Sequence, residues 1–269
     1  MRFLSAALFW LVSGLSVLAV TPDDEQRARL MAADIVLLGE VHDNPAHHEG
    51  QGALLRMIAP RAVVFEMLTP EMADWVAARD VGDLDSLDRA IGWTESGWPP
   101  MVSYGPVFEA LGAAAIVGAA VPRDAVRAAF AEGAAAVFGA EAARYGLTDP
   151  LPEAERAVRT DLQFEAHCRA MPRGMMDGMI EAQRLRDARF AQAALDALRT
   201  HGGPVAVIAG HGHVRRDWGM PALIALAAPD VTVVSVGFLE DPAPAADARF
   251  DITFVTAPAP RGDPCAAFN

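Results

Sequence analysis

A short pattern, G-x-x-H, occurs twice, each time directly after an apolar run. Gly39-Glu40-Val41-His42 follows IVLL, and Gly210-His211-Gly212-His213 follows VAVIA. A third apolar run, AVVF, ends on Glu66. Imidazole and carboxylate groups exchange protons near neutral pH and also bind borderline divalent ions. Their grouping therefore admits two chemistries. With a metal, His42, His211, His213 and Glu66 would be ligands, leaving one position open for water, as in a metal-dependent esterase or peptidase. Without one, Glu40, His42, Glu66 and His213 supply a His–Glu general base for hydrolysis. The plain structural alternative is a network of buried side chains that cap loop backbones. No serine nucleophile is marked, because G-x-S-x-G is absent and Ser103 and Ser235 lie in unremarkable surroundings.

Such residues must be positioned by strand ends. The candidate strands are Ile35–Leu38, Ala62–Phe65, Ala114–Val121, Val205–Ala209, Val231–Phe238 and Phe250–Val255. The first five are nearly continuous apolar runs, as expected of strands covered by helices on both faces. The last alternates and reads as an edge strand. Between them lie helix candidates Pro45–Ile58, Glu71–Arg79, Pro122–Phe138, Pro152–Ala170 and Met175–Arg199. Strands alternating with helices predict an α/β fold, a mostly parallel central sheet flanked by helices. Residues 139–199 contain no strand and read as an additional helical lobe of the same domain, which spans 20–269. In such a sheet ligands bind at the carboxyl ends of strands, where both G-x-x-H motifs and Glu66 fall.

The stretch LLGEVHDNPAHHEGQ, residues 37–51, holds three of the seven histidines. Asn44-Pro45 is a helix start, with asparagine as cap and proline in the first turn. His47, Gln51, Leu55 and Ile58 then share one helical stripe facing the crevice, with His48 one residue round. Later in the chain, Gln183 and Asp187 lie four apart on one helix face and could hydrogen-bond a neighbouring loop.

Composition removes several classes. The net charge of −13 argues against nucleic-acid partners. All 22 basic residues are arginine, so a lysine-dependent phosphate loop and a pyridoxal Schiff base are impossible. Met1-Arg2, the apolar run to Ala19 and the acidic Thr21-Pro22-Asp23-Asp24 have the order of a signal peptide over residues 1–19. They predict a periplasmic or secreted protein, soluble after cleavage, and with no cysteine nearby there is no lipid anchor. In an oxidising compartment Cys168 and Cys265 are able to pair.

Two further segments suit an apolar ligand. GWTESGWPPMVSYGPVFEA, residues 92–110, gathers Trp93, Trp98, Tyr104 and Phe108; these either pack a loop on the core or line a site for a large planar ligand. FEAHCRAMPRGMMDGMI, residues 164–180, sets His167 and Cys168 before Met171, Met175, Met176 and Met179. A methionine-rich surface is adaptable, although packing within a helical lobe accounts for it equally.

These elements resemble the ChaN-like haem-binding family. They are LLGEVHDNPAHHEGQ, AVVFEM, the GW-then-YGP segment followed by AAVPR, AHC with a Q-x-x-x-D helix, and GHGHVRRDWGMP, in the family's order. The resemblance implies haem binding linked to iron uptake, with haem held at a homodimer interface and passed among outer-membrane or periplasmic haem-transport components. It also implies tyrosine and histidine near the iron, here Tyr104 and His167, with Met175 and Met176 against the macrocycle. The paired G-x-x-H and strand-end glutamate are further similar to a wider superfamily of erythromycin-esterase-like and TIKI/TraB-type proteins, whose active site this cluster forms.

Overall fold

A computed structural model describes residues 20–79 and 81–266. The apolar leader read at residues 1–19 lies outside them.

Six strands form one sheet: β1 (Ile35–Glu40), β2 (Ala62–Phe65), β3 (Ala115–Gly118), β4 (Val205–Gly210), β5 (Val233–Glu240) and β6 (Ile252–Thr256). Their order is β3-β2-β4-β1-β5-β6, and every pairing is parallel. The central strands β1 and β4 run in register from Ile35 opposite Val205 to Glu40 opposite Gly210, which brings the two motif-bearing ends level. The alternating strand β6 lies at an edge, as its pattern predicts.

Alternate strand residues point into two cores. Val36, Leu38, Val63, Phe65, Ala206 and Ile208 join one; Ile35, Leu37, Val64, Val205, Val207 and Ala209 join the other. Burial on both faces explains the continuous apolar runs. The first core is closed by α1 (Asp24–Ala32), α2 (Pro45–Ile58), α3 (Pro70–Ala77), α4 (Leu84–Ile91) and α5 (Gly105–Glu109). The second is closed by α6 (Arg123–Glu132), α7 (Ala134–Phe138), the long α9 (Met176–His201) and α10 (Met220–Ala227), while α8 (Glu153–Ala166) packs on α9.

The helix after β1 begins as its sequence requires. Asn44 Oδ1 accepts from Ala46 N at 3.0 Å with Pro45 in the first turn, and Ala59, in the left-handed region at φ 48°, ends the helix. Three expectations are corrected. The single helix over 122–138 is two, separated at Gly133, whose φ of 92° breaks the ladder. The helix over 152–170 stops at Ala166, because Cys168 and Arg169 adopt positive φ. The helical lobe is also smaller than 139–199, since α9 is part of the layer covering β2 and β4. Among the described residues no helix is long and apolar enough to cross a membrane.

Cys168 and Cys265 are joined in a disulfide, Cα–Cα 5.4 Å. Just before it, Arg261 holds Asp43 (Nε–Oδ2 2.7 Å) and Glu240 (Nη1–Oε2 2.6 Å). The tail is thus strapped both to the α8 end and to the loop after β1.

Candidate acid–base site at the strand ends

Glu40, the last residue of β1, is buried, and two donors share its Oε1: Tyr104 Oη at 2.6 Å and His42 Nδ1 at 2.8 Å. A carboxylate only accepts, so the His42 proton sits on Nδ1 and the ring turns Nε2 toward Glu66 Oε2, 3.8 Å away. Burial opposes charge on His42, but its bond to Glu40 and the field of Glu66 prevail and raise its pKa above the usual value. Trp98 meets its ring edge-on at 4.9 Å.

Glu66, just past β2, is the second carboxylate. Its Oε2 accepts from Gly210 N at 2.7 Å, and its Oε1 lies 3.3 Å from His213 Nε2. His213 Nδ1 reaches Asp187 Oδ1 at 2.6 Å, with Gln183 Nε2 3.0 Å away. The Gln183–Asp187 face of α9 therefore does bond a loop, the second G-x-x-H. Burial works against a charged His213, yet Glu66 and Asp187 on either side hold its pKa up to about 10. Burial likewise opposes ionising Glu66, but His213 and His42 bring it down to about 2. Asp187 goes the other way, raised by its burial. The imidazolium–Glu66 pair is thus preset.

The remaining histidines of the motifs are structural. Burial keeps His47 neutral, with a pKa of about 4, and its Nδ1 accepts from Val41 N at 3.0 Å. Burial also lowers His48, which stacks on Tyr104 at 3.8 Å and donates Nδ1–H to Ser103 O at 2.8 Å. Gln51 donates to Leu38 O. These three side chains brace backbone, the plain alternative stated above; His48 Nε2 also lies 3.5 Å from Glu40 Oε2, while His42 and His213 are the two that approach Glu66. Glu66, Trp98, Phe190 and His213 line a cleft of about 360 Å³, whose other walls include Arg123 and Arg186.

The four-residue metal set His42, His211, His213 and Glu66 is not formed. His211 donates Nδ1–H to Glu40 O at 3.1 Å and lines a different cleft, and both His213 nitrogens face carboxylates. Among the described residues no group of three or more His, Cys, Asp or Glu side chains is arranged to hold a metal ion.

The residues assigned to haem also separate. Tyr104 is 0% exposed and bonded to Glu40, so it belongs to the acid–base cluster. Its pKa is pushed well above the usual phenol value, by burial first and then by Glu40, the reverse of what a phenolate ligand needs. Met176 is 0% exposed and packs in the core, whereas Met175 before it is 39% exposed. His167, half-buried at the end of α8, has Nδ1 2.7 Å from Gln163 O. That carbonyl only accepts, so Nδ1 donates and the lone pair of His167 is on Nε2. Tyr145, the other tyrosine, is buried as well. Three residues near these sites escape sequence reading: Arg159, Arg186 and Trp218, each in a cleft wall.

Fold and site together define an open parallel α/β protein with paired histidine–carboxylate groups across its central strand ends. The chain belongs to the family described as haem-binding uptake, Tiki superfamily, ChaN, whose sequence model matches residues 27–224. Among solved structures it is similar to "Cofacial heme binding to ChaN of Campylobacter jejuni", with 18% identity, 85% of this chain and 89% of that chain covered, and a TM-score of 0.58, a likeness of fold. It also aligns with erythromycin esterase EreC in an open conformation, with 12% identity, 90% and 81% covered, and a TM-score of 0.47. No curated protein matches by sequence.

Proposed function

We propose that this chain is an exported haem-binding protein that takes part in haem or iron uptake, binding haem between two copies of itself in the periplasm or outside the cell. Membership of the haem-binding uptake family supports the ligand, and the cofacial haem named for the Campylobacter jejuni structure supports the paired arrangement. The observation that carries the ligand assignment is His167. A backbone carbonyl fixes its Nδ1–H, which leaves Nε2 as the coordinating nitrogen, the arrangement that orients metal-binding imidazoles generally.

The surroundings fit a macrocycle. Val158, Leu162 and Met175, three of the exposed large apolar side chains, lie on α8 or just beyond it. Bound haem would supply an iron able to take a nitrogen ligand. The protein's own residues do the rest: His167 presents Nε2, the α8 side chains cover apolar surface, and the disulfide beside His167 fixes where the helix ends. A haemin titration followed by visible absorption tests this reading. The expected outcome is a saturable Soret band near one haem per chain that is altered by His167→Ala. Non-saturating absorption would overturn haem binding, and an unchanged spectrum in His167→Ala would remove that ligand.

A second reading is favoured by the His42–Glu40 pair. A buried carboxylate fixes the tautomer of His42 while Nε2 faces Glu66, whose other oxygen meets a histidine held protonated. In that reading His42 takes a proton from water, while His213 keeps Glu66 ionised beside it, and the proton transfer itself needs no metal. Hydrolysis of p-nitrophenyl esters that is lost in His42→Ala would support it, and undiminished turnover would exclude His42.

A further inference from the structure

A second cleft, of about 250 Å³, lies between α8, α9 and the loop after β4. Arg159, Leu162, Gln163 and Ala166 of α8 form one wall, Ile180 and Gln183 of α9 the next, and Arg215, Trp218 and Arg249 close it. The spacing 159, 162, 163, 166 is one helical face, so α8 turns a cation and an apolar stripe into the same space.

The three arginines are not equivalent. Arg215 is taken up by Asp217 through Nε–Oδ1 at 2.9 Å and Nη2–Oδ2 at 2.5 Å. Arg249 is gripped by both oxygens of Asp247 (Nε–Oδ1 2.8 Å, Nε–Oδ2 2.9 Å). Arg159 is 7% exposed, and only its Nη2 meets a carboxylate, Glu155 Oε1 at 2.5 Å. Its Nε and Nη1 are buried and have no hydrogen-bond partner. Asp187 feels its charge without bonding it, and the Asp187 oxygen not on His213 is itself unpartnered. A buried guanidinium with two free donors is costly unless something accepts from them, and a carboxylate matches that fork. Trp218 lies 4.9 Å from the Arg159 guanidinium and 3.6 Å from that of Arg215, which holds the fork in place.

We infer that this cleft is a carboxylate seat for an apolar ligand, with Arg159 as the anion-binding residue and Leu162, Ala166 and Ile180 covering the adjoining apolar part. The cleft is smaller than the usual 300–1,000 Å³ of a ligand pocket, so it takes an acidic edge rather than a whole large ligand. On the haem-binding reading, on which this identification of the ligand rests, that edge is a haem propionate. Gln163 lines the cleft and its carbonyl accepts from His167, and Arg159 lies eight residues before His167, roughly 12 Å along a helix axis. On this reading α8 supplies the seat for the acid groups and its C-cap residue the nitrogen for the iron.

The test compares haemin with its dimethyl ester, whose propionates carry no charge, on the full chain and on Arg159→Gln and Leu162→Glu. The full chain should bind haemin about tenfold or more tightly than the ester, as a charge-assisted pair requires. Arg159→Gln should bind both alike, and Leu162→Glu, at an exposed rim position, should weaken haemin by a similar factor. Equal binding of haemin and ester by the full chain, or a folded Arg159→Gln that keeps the preference, would overturn the seat. Should Arg159→Gln fail to fold, Leu162→Glu decides, and unchanged haemin affinity in it overturns the proposal. If the full chain binds no haemin saturably, the haem reading fails separately, and dodecanoate followed by tryptophan fluorescence becomes the probe. Saturable dodecanoate binding weakened by Leu162→Glu would keep the carboxylate seat, and no binding would end it.

Discussion

At the scale of single residues, the two G-x-x-H histidines are not twins. His42 is oriented by one buried carboxylate and partly exposed, while His213 is sealed between two. This gives a pH signature. His213 has its pKa raised from 6.5 to about 10, so the stability it contributes is complete below pH 6.5 and is lost as pH rises toward 10. Glu66 has its pKa lowered from 4.5 to about 2, so its contribution is complete above pH 4.5 and is lost as pH falls toward 2. The contribution of this pair is complete between about pH 4.5 and 6.5, so the stability difference between the native chain and the double variant Glu66→Gln, His213→Gln, read by chemical denaturation across pH, should be largest there and shrink on either side. Tyr104→Phe should leave a haem spectrum unchanged. It should still lower stability by about 1–3 kcal/mol in a urea melt, because Glu40 loses a charge-assisted bond in a buried place.

At the scale of elements, strand positions were legible because both sheet faces are covered, which makes each strand a run of apolar residues rather than an alternation. Helix α2 was legible to the residue because Asn44-Pro45 is a local signal. α10 was not: MPALIALA is apolar all round and has no polar face to reveal a helical period. Nor was α1, although Asp23 and Gln26 form a capping box, because so polar a stretch carries no stripe to read. The site was legible as far as Glu40, His42, Glu66 and His213 converging, since strand register alone brings them level. Which histidines act and which brace backbone was not legible, because that depends on contacts with Tyr104, Ser103 and Asp187 from distant segments. The inward phase of Met176 is equally a tertiary fact. Packing between elements is tight at Gly39, where a Cβ would overlap Val214 and the His211 backbone. Gly39→Ala should cost about 2–3 kcal/mol by thermal or urea melt and disturb His211 first.

At the scale of the whole molecule, the disulfide and Arg261 tie the tail across two distant regions. The loop closed between Cys168 and Cys265 spans 97 residues, so reduction should lower stability by roughly 4–5 kcal/mol in the chain-entropy account. A denaturation midpoint that is the same with and without reductant would contradict it. Reduction should also loosen the end of α8, read as faster hydrogen exchange at His167 than at β4.

The sheet order has a consequence for a chain being made from its first residue onward. β1 is the earliest strand, yet its neighbours are β4 and β5, the fourth and fifth to emerge. β2 and β3 find one another at once, whereas β1 waits with both edges bare and an apolar IVLL on each side until Val205 has been added. A nascent chain therefore carries Glu40, His42 and Glu66 for most of its synthesis without Asp187 and His213, their partners in the acid–base centre. Until then β1 is adhesive, a natural place for a holding factor to bind, and a chain ended after Gly203 should sediment with the insoluble fraction where the full chain stays in solution.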